Sequence, residues 1–168
     1  MKSRRVSKEM SVHFEHRLLA RIASRDEAAL KALYDLYYPR LARFLWRVTG
    51  GDADGVVEII NDVMLVVWDK ASECRGDSSV TTWIFTIAYR KCARARGRAR
   101  PTLPLPDAEP IADGDHAASS MFDRDLDRAL ARLSPAHRAV VELTYYFGYS
   151  YSEIGHIVGC PENTVKTR

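Results

Sequence analysis

The sequence predicts an all-α fold: two small helical domains joined by a flexible linker, the second containing a helix-turn-helix. Three observations carry this. Apolar residues recur at helical spacing along most of the chain, and no useful length alternates with the period of two that a strand needs. Four of the seven prolines crowd into "RPTLPLPDAEP", followed by the small, polar "IADGDHAASS", a composition that cannot bury a core. The closing stretch "GYSYSEIGHIVGCPENTVKTR" reads as a helix, a turn containing Gly, and a second helix.

The elements follow in order. Ser11 to Ala23 carries Phe14, Leu18, Leu19 and Ile22 on one stripe. Asp26 is an N-cap for a second helix with Leu30, Leu33, Tyr34, Tyr37, Leu41, Phe44, Leu45 and Val48 inward, ending at Gly50-Gly51. Pro39 is expected to kink or split it. A third helix runs from Asp54 to Ala71 through Val56, Ile59, Ile60, Val63, Val66 and Val67. After the polar "ECRGDSS", a fourth starts at Val80 and enters "RKCARARGRAR", which holds six basic residues and no acid. Residues 1–96 form the first domain and 97–120 the linker, whose Asp107, Glu109, Asp113 and Asp115 meet no cation between Pro101 and Asp123. Such asymmetry suggests a polyanion-binding face followed by an acidic tether.

Residues 121–168 form the second domain. Met121 to Leu133 is one helix, with Leu126, Leu130 and Leu133 inward; Ser134-Pro135 starts the next, to Phe147, with Val140, Val141 and Leu143 inward. In the helix-turn-helix, Tyr151 to Val158 buries Ile154, Ile157 and Val158, Gly159-Cys160 turns, and Pro161 opens the second helix. The second helix of that motif enters the DNA major groove, so Glu162, Asn163, Thr164, Lys166, Thr167 and Arg168 are the base- and phosphate-reading candidates.

Several classes drop out. No apolar run approaches the ~18 residues of a membrane span. The basic Met1 to Met10 is not followed by an apolar segment with a cleavage site, so no signal peptide is expected. Cys74, Cys92 and Cys160 are scattered and odd in number, suiting a reducing cytoplasm and giving no metal-ligand spacing. With no phosphate-binding glycine loop, nucleophile elbow or paired His ligands, no enzyme, cofactor, metal or small-molecule substrate is expected.

Laid out this way, the chain resembles the bacterial extracytoplasmic-function (ECF) sigma factors, promoter-specificity subunits of RNA polymerase, from Asp26 onward apart from the linker. "LARLSPAHRAVVELTYYFGYSYSEIGHIVGCPENTVKTR" matches the family's domain four, which binds the minus-thirty-five element, almost position by position. "EIINDVMLVVW" resembles the helix of domain two that docks on the polymerase clamp, and "RGDSSVTTWIFTIAYRK" the segment that captures the opened minus-ten element.

The resemblance implies core RNA polymerase (the largest-subunit clamp, and the flap), promoter DNA and an anti-sigma factor as partners. Glu58, Asn61 and Asp62 lie three and four apart on one polar edge suited to a basic helical partner. Asn61 stands where the family usually has Gln. Arg75, Gly76, Asp77 and Ser78 fall at the loop that pockets a flipped minus-ten base. Trp83, Tyr89, Arg90, Lys91 and Arg94 join aromatic faces to positive charge, as single-stranded DNA requires, with core packing the alternative for Trp83. Arg90 stands where many relatives have Asn, and Arg94 where they have an acid; both changes bear on minus-ten preference. Relatives continue the last helix beyond the position of Arg168, so the chain is expected to be truncated there. The rival readings are a sigma-like mimic that sequesters an anti-sigma factor without binding DNA, and an ordinary helix-turn-helix repressor. The basic run and the aromatics count against the mimic, and the repressor reading leaves the N-terminal domain unexplained, so a DNA-binding initiation subunit is favoured.

Overall fold

The computed structural model describes residues 2–49, 53–74, 79–98, 128–130 and 132–168. Among these, every regular element is helical: α1 (Lys2–Ala23), α2 (Glu27–Thr49), α3 (Ala53–Lys70), a 3-10 turn (Ala71–Glu73), α4 (Val80–Arg98), α5 (Pro135–Tyr145), α6 (Tyr151–Val158) and α7 (Glu162–Thr167). The expected loop Arg75, Gly76, Asp77 and Ser78, the Gly50-Gly51 stop, and positions 99–127 of the expected linker and following helix lie outside the described residues.

α1 starts well before Ser11, and its inward stripe is Leu18, Leu19 and Ile22; Phe14, expected inside, is 45% exposed. Arg25 takes a left-handed turn at φ 65°, a position glycine normally fills. Its side chain offsets the cost of about 1 kcal/mol: the guanidinium lies 5.2 Å over the Trp68 ring and donates to the Trp68 carbonyl. Asp26 caps α2 as expected, accepting from the Ala29 amide at 3.1 Å. The Arg21 hydrogen bond, with that amide, holds its carboxyl below the usual range.

Pro39 does not split α2, which is continuous from Glu27 to Thr49. The proline is on the exposed side, and so is Asp35, whose carbonyl loses its amide partner. Fully buried Tyr37, Leu41, Phe44 and Leu45 hold the two halves of the helix on one core. Ser79 caps α4, its hydroxyl accepting from the Thr82 amide at 3.1 Å. α2, α3 and α4 pack on one another around Val56, Ile60, Val63, Val67, Ile84, Phe85 and Ala88.

The second bundle is set by local signals. Ser134 caps α5 and Pro135 opens it. Ser150 and Glu153 form a reciprocal capping box at the start of α6, and Gly159 ends α6 in the left-handed region at φ 73°. Pro161, expected as the first helical residue, is instead the cap residue of α7, with extended ψ of 148°. Ile154, Ile157 and Val165 close the motif's interior.

The two bundles share one hydrophobic core. α6 packs on α4 and α5 on α2. Gly155 sets how closely the helix-turn-helix closes, because a Cβ there would sit 2.8 Å from the Cys160 carbonyl oxygen. Gly155→Val is therefore expected to destabilise the chain by about 1–3 kcal/mol through overpacking. A lowered thermal midpoint checks this; an unchanged one would show that the turn yields without cost.

Candidate nucleic-acid interface

On α3 the inward stripe leaves Glu58 and Asn61 exposed on the opposite side, with Asp62 half-buried beside them. Two apolar residues that sequence reasoning passed over join this edge: Val57, 40% exposed, and Leu65, 62% exposed. An exposed Leu four residues from Asn61 and an exposed Val four residues before it make the edge amphipathic rather than merely polar. The signal was present in the helical period, since neither residue falls on the inward stripe.

α4 carries the basic and aromatic candidates, and the structure sorts them. Arg90 and Arg94, one turn apart, are exposed together. Lys91 turns the other way: its Nζ lies 2.8 Å from Asp62 Oδ2, pairing a candidate of the α4 set with one of the α3 set. Arg96 donates to the Val48 carbonyl at the end of α2. Cys92, within the same run, is buried, and burial pushes its thiol pKa up against the opposing pull of Arg96. The run is thus no uniform cationic face. Of its described side chains, Arg90 and Arg94 point outward, Lys91 ties α4 to α3, and Arg96 ties α4 to α2.

Trp83 and Tyr89 are half-buried and pack against the core, so neither is wholly core nor wholly surface. Burial pushes the Tyr89 phenol up, with Arg168 acting in the opposite direction. On α7, Glu162, Asn163, Lys166, Thr167 and Arg168 are exposed and Thr164 is half-buried. Lys166 Nζ pairs with Glu162 Oε1 at 2.7 Å, an exposed i,i+4 contact that costs little to give up. Thr167 bonds back to the Asn163 and Thr164 carbonyls, and Arg168 Nη1 lies 3.9 Å from Cys160 Sγ. The structure therefore brings Asp62, on the edge it shares with Glu58 and Asn61, beside Lys91, and packs α6 of the helix-turn-helix against α4. Arg75, Gly76, Asp77 and Ser78 lie outside the described residues.

Sequence reasoning also missed Glu142, which helical spacing leaves indistinct. It is fully buried, and its Oε1 lies 3.3 Å from Arg47 Nη1. Burial pulls the Arg47 pKa down, but the Glu142 carboxylate and the Tyr146 phenol together outweigh it, leaving it raised. Arg138 Nη1 donates to the Arg47 carbonyl at 2.9 Å.

Comparison with known proteins identifies the family. The chain matches the family described as Sigma-70 region 2 over residues 33–102 and Sigma-70, region 4 over residues 123–168. It is 34% identical over 150 residues to the ECF RNA polymerase sigma factor RpoE of Cereibacter sphaeroides, an alignment covering 86% of this chain and 82% of that protein. A solved structure of the sigma factor RpoE with the anti-sigma factor NepR from Bartonella quintana is similar at TM-score 0.62 and 25% identity, covering 82% of this chain and 87% of that one. The structure of CnrH with the cytosolic domain of CnrY is similar in fold, at TM-score 0.66 and 20% identity, covering 92% and 88%.

The buried thiol gives a direct check on how α4 is seated. At pH 8, Cys92 is expected to react with an aromatic disulfide reagent at least about tenfold more slowly than half-buried Cys74 and Cys160, and at a comparable rate once the chain is unfolded. Equal rates in the native chain would mean that α4 does not seat this face in the core.

Proposed function

The chain belongs to the ECF RNA polymerase sigma factors, and from that premise we propose how its parts divide the work. Residues 1–96 act as domain two, docking on the clamp and capturing the opened minus-ten element. Residues 121–168 act as domain four, reading the minus-thirty-five element and contacting the flap, with 99–120 as the tether, since α4 runs on through Gly97 and Arg98. The chain is a transcription initiation factor and not an enzyme. Among the described residues no helix is long and apolar enough to cross a membrane, in keeping with work on cytoplasmic polymerase. Solved structures of similar proteins are complexes with an anti-sigma factor in one case and with the cytosolic domain of CnrY in the other. The first supports control of this chain by an anti-sigma partner.

The observation that carries the reading is the Asp62–Lys91 pair. It sets a polar-apolar docking edge on α3 directly beside a helix whose Arg90, Arg94 and Tyr89 suit single-stranded DNA. Glu58, Asn61, Asp62, Val57 and Leu65 take the clamp helix, their carboxylates meeting its basic residues and their apolar groups its stems. Arg90 and Arg94 hold phosphates, while Tyr89 and Trp83 offer faces to unstacked bases. Arg75, Gly76, Asp77 and Ser78 pocket the flipped base. On α7, Glu162, Asn163 and Thr164 face base edges, with Lys166, Thr167 and Arg168 toward the backbone.

In-vitro transcription with core polymerase over a promoter library tests the reading, the expected result being transcripts that depend on this chain. Within that assay, Asp62→Lys is expected to weaken core binding by about tenfold or more with helicity unchanged. Wild-type affinity in the variant would remove α3 from the docking surface.

Arg90→Gln with Arg94→Gln tests the DNA face separately. Each lost phosphate contact should flatten the salt dependence of promoter binding, by up to ~0.7 in slope on single strands. Lys91 is left intact because its partner is Asp62. An unchanged slope would place this side of α4 away from DNA.

A further inference from the structure

Lys91 belongs by sequence to the basic run of α4, yet its ammonium is held by α3. Its Nζ lies 2.8 Å from Asp62 Oδ2, with the lysine side chain 29% exposed and the aspartate 47%. Asp62 itself lies on the edge proposed for the polymerase clamp, beside exposed Glu58 and Asn61. One ion pair therefore joins the two surfaces to which the chain's partners are assigned. The other described cations of the run differ from it: Arg90 and Arg94 stand exposed, and Arg96 is committed to the Val48 carbonyl.

A half-exposed pair of this kind is worth little net, because water competes for both ions and two side chains must be ordered to hold it. A cation brought to Asp62 by a partner can therefore take its carboxylate at small cost. Lysine suits such an exchange, since its ammonium is a compact charge on a flexible four-carbon stem. Lys91 and Arg94 lie three residues apart and are neighbours on the helix surface. An ammonium released from Asp62 thus joins the side of α4 on which Arg94 stands. Neutralising Asp62 also silences a carboxylate that would repel a phosphate there. The seat of α4 does not depend on the pair alone, because Ala88 and Cys92 are buried and Arg96 holds the end of α2.

We infer that Lys91 is a positioning residue shared by the two surfaces. In the free chain it occupies the place on Asp62 that a clamp cation takes in the holoenzyme; once displaced, it becomes a third phosphate contact beside Arg90 and Arg94. The inference deepens the sigma-factor reading and rests on it for the identity of both partners. Its energetics are reciprocal: whatever factor polymerase adds to the hold on DNA through this pair, DNA adds to the hold on polymerase. For one half-exposed pair that factor is at most about fivefold.

Two sets of full-chain variants test the exchange. Against core polymerase alone, Lys91→Gln should bind tighter than wild type by up to about fivefold, since Asp62 then has no internal partner to give up. Lys91→Arg, which restores the charge, should return to wild-type affinity. Thermal midpoints are read on each, so that a merely structural role would show as weaker binding with a lowered midpoint. Against a single-stranded oligodeoxythymidine, with no polymerase present, Asp62→Asn should bind tighter, with a salt dependence steeper by up to ~0.7 in slope. Asp62→Asn with Lys91→Gln should return to the wild-type slope, which separates a released lysine from simple removal of a carboxylate. Unchanged or weaker core binding by Lys91→Gln, a Lys91→Arg that matches it, a wild-type slope in Asp62→Asn, or a steep slope that persists in the double variant would each overturn the inference. Failure of the wild type to bind polymerase at all would sink the sigma-factor reading instead, with the oligonucleotide comparison still deciding whether Asp62 restrains Lys91.

Discussion

The carboxyl end of α2 is the point on which the arrangement depends. A helix leaves its last carbonyls without intrahelical donors, and burying them unmatched costs about 1–3 kcal/mol each. Here the Val48 carbonyl takes Arg96 from α4 and the Arg47 carbonyl takes Arg138 from α5. Cations at a helix carboxyl end also meet the favourable end of its dipole. The same end carries Phe44 into the aromatic cluster and Arg47 onto Glu142. One helix terminus thereby fixes both α4 and α5, and through them both sets of residues proposed to meet DNA.

This explains why the basic run cannot be read as one patch. Arg96 is committed to the α2 terminus and Lys91 to Asp62, so the helix has a fixed rotation. That rotation turns Arg90 and Arg94 outward and seats Cys92 and Ala88 in the core. The surface proposed for DNA is therefore a consequence of internal pairing, and the docking edge on α3 is held next to it by the same Asp62–Lys91 contact.

Local chemistry was legible in the sequence; rotation and docking between elements were less so. The helix-turn-helix could be found because its signals are contiguous: Ser150 and Glu153 at one end of α6, Gly159 and Pro161 after it. Asp26 could be read as a cap for the same reason. Pro39 does not split α2, because long-range packing, of which local propensity says nothing, holds both halves of the helix in place. Phe14 shows the limit of periodicity, since it lies on the stripe and is still exposed, whereas Leu65 lies off its stripe and is exposed as its spacing implies. Glu142 and Arg138 could not be assigned at all without the α2 terminus they serve, a partner over ninety residues away.

The central claim is that one edge of α3 meets polymerase beside the α4 face proposed for DNA. Hydrogen exchange of the full chain, alone and with core polymerase on promoter DNA, measures both in one experiment. The account predicts slower exchange on assembly in peptides covering residues 57–65 and in peptides covering residues 89–94. Unchanged exchange in either would contradict it.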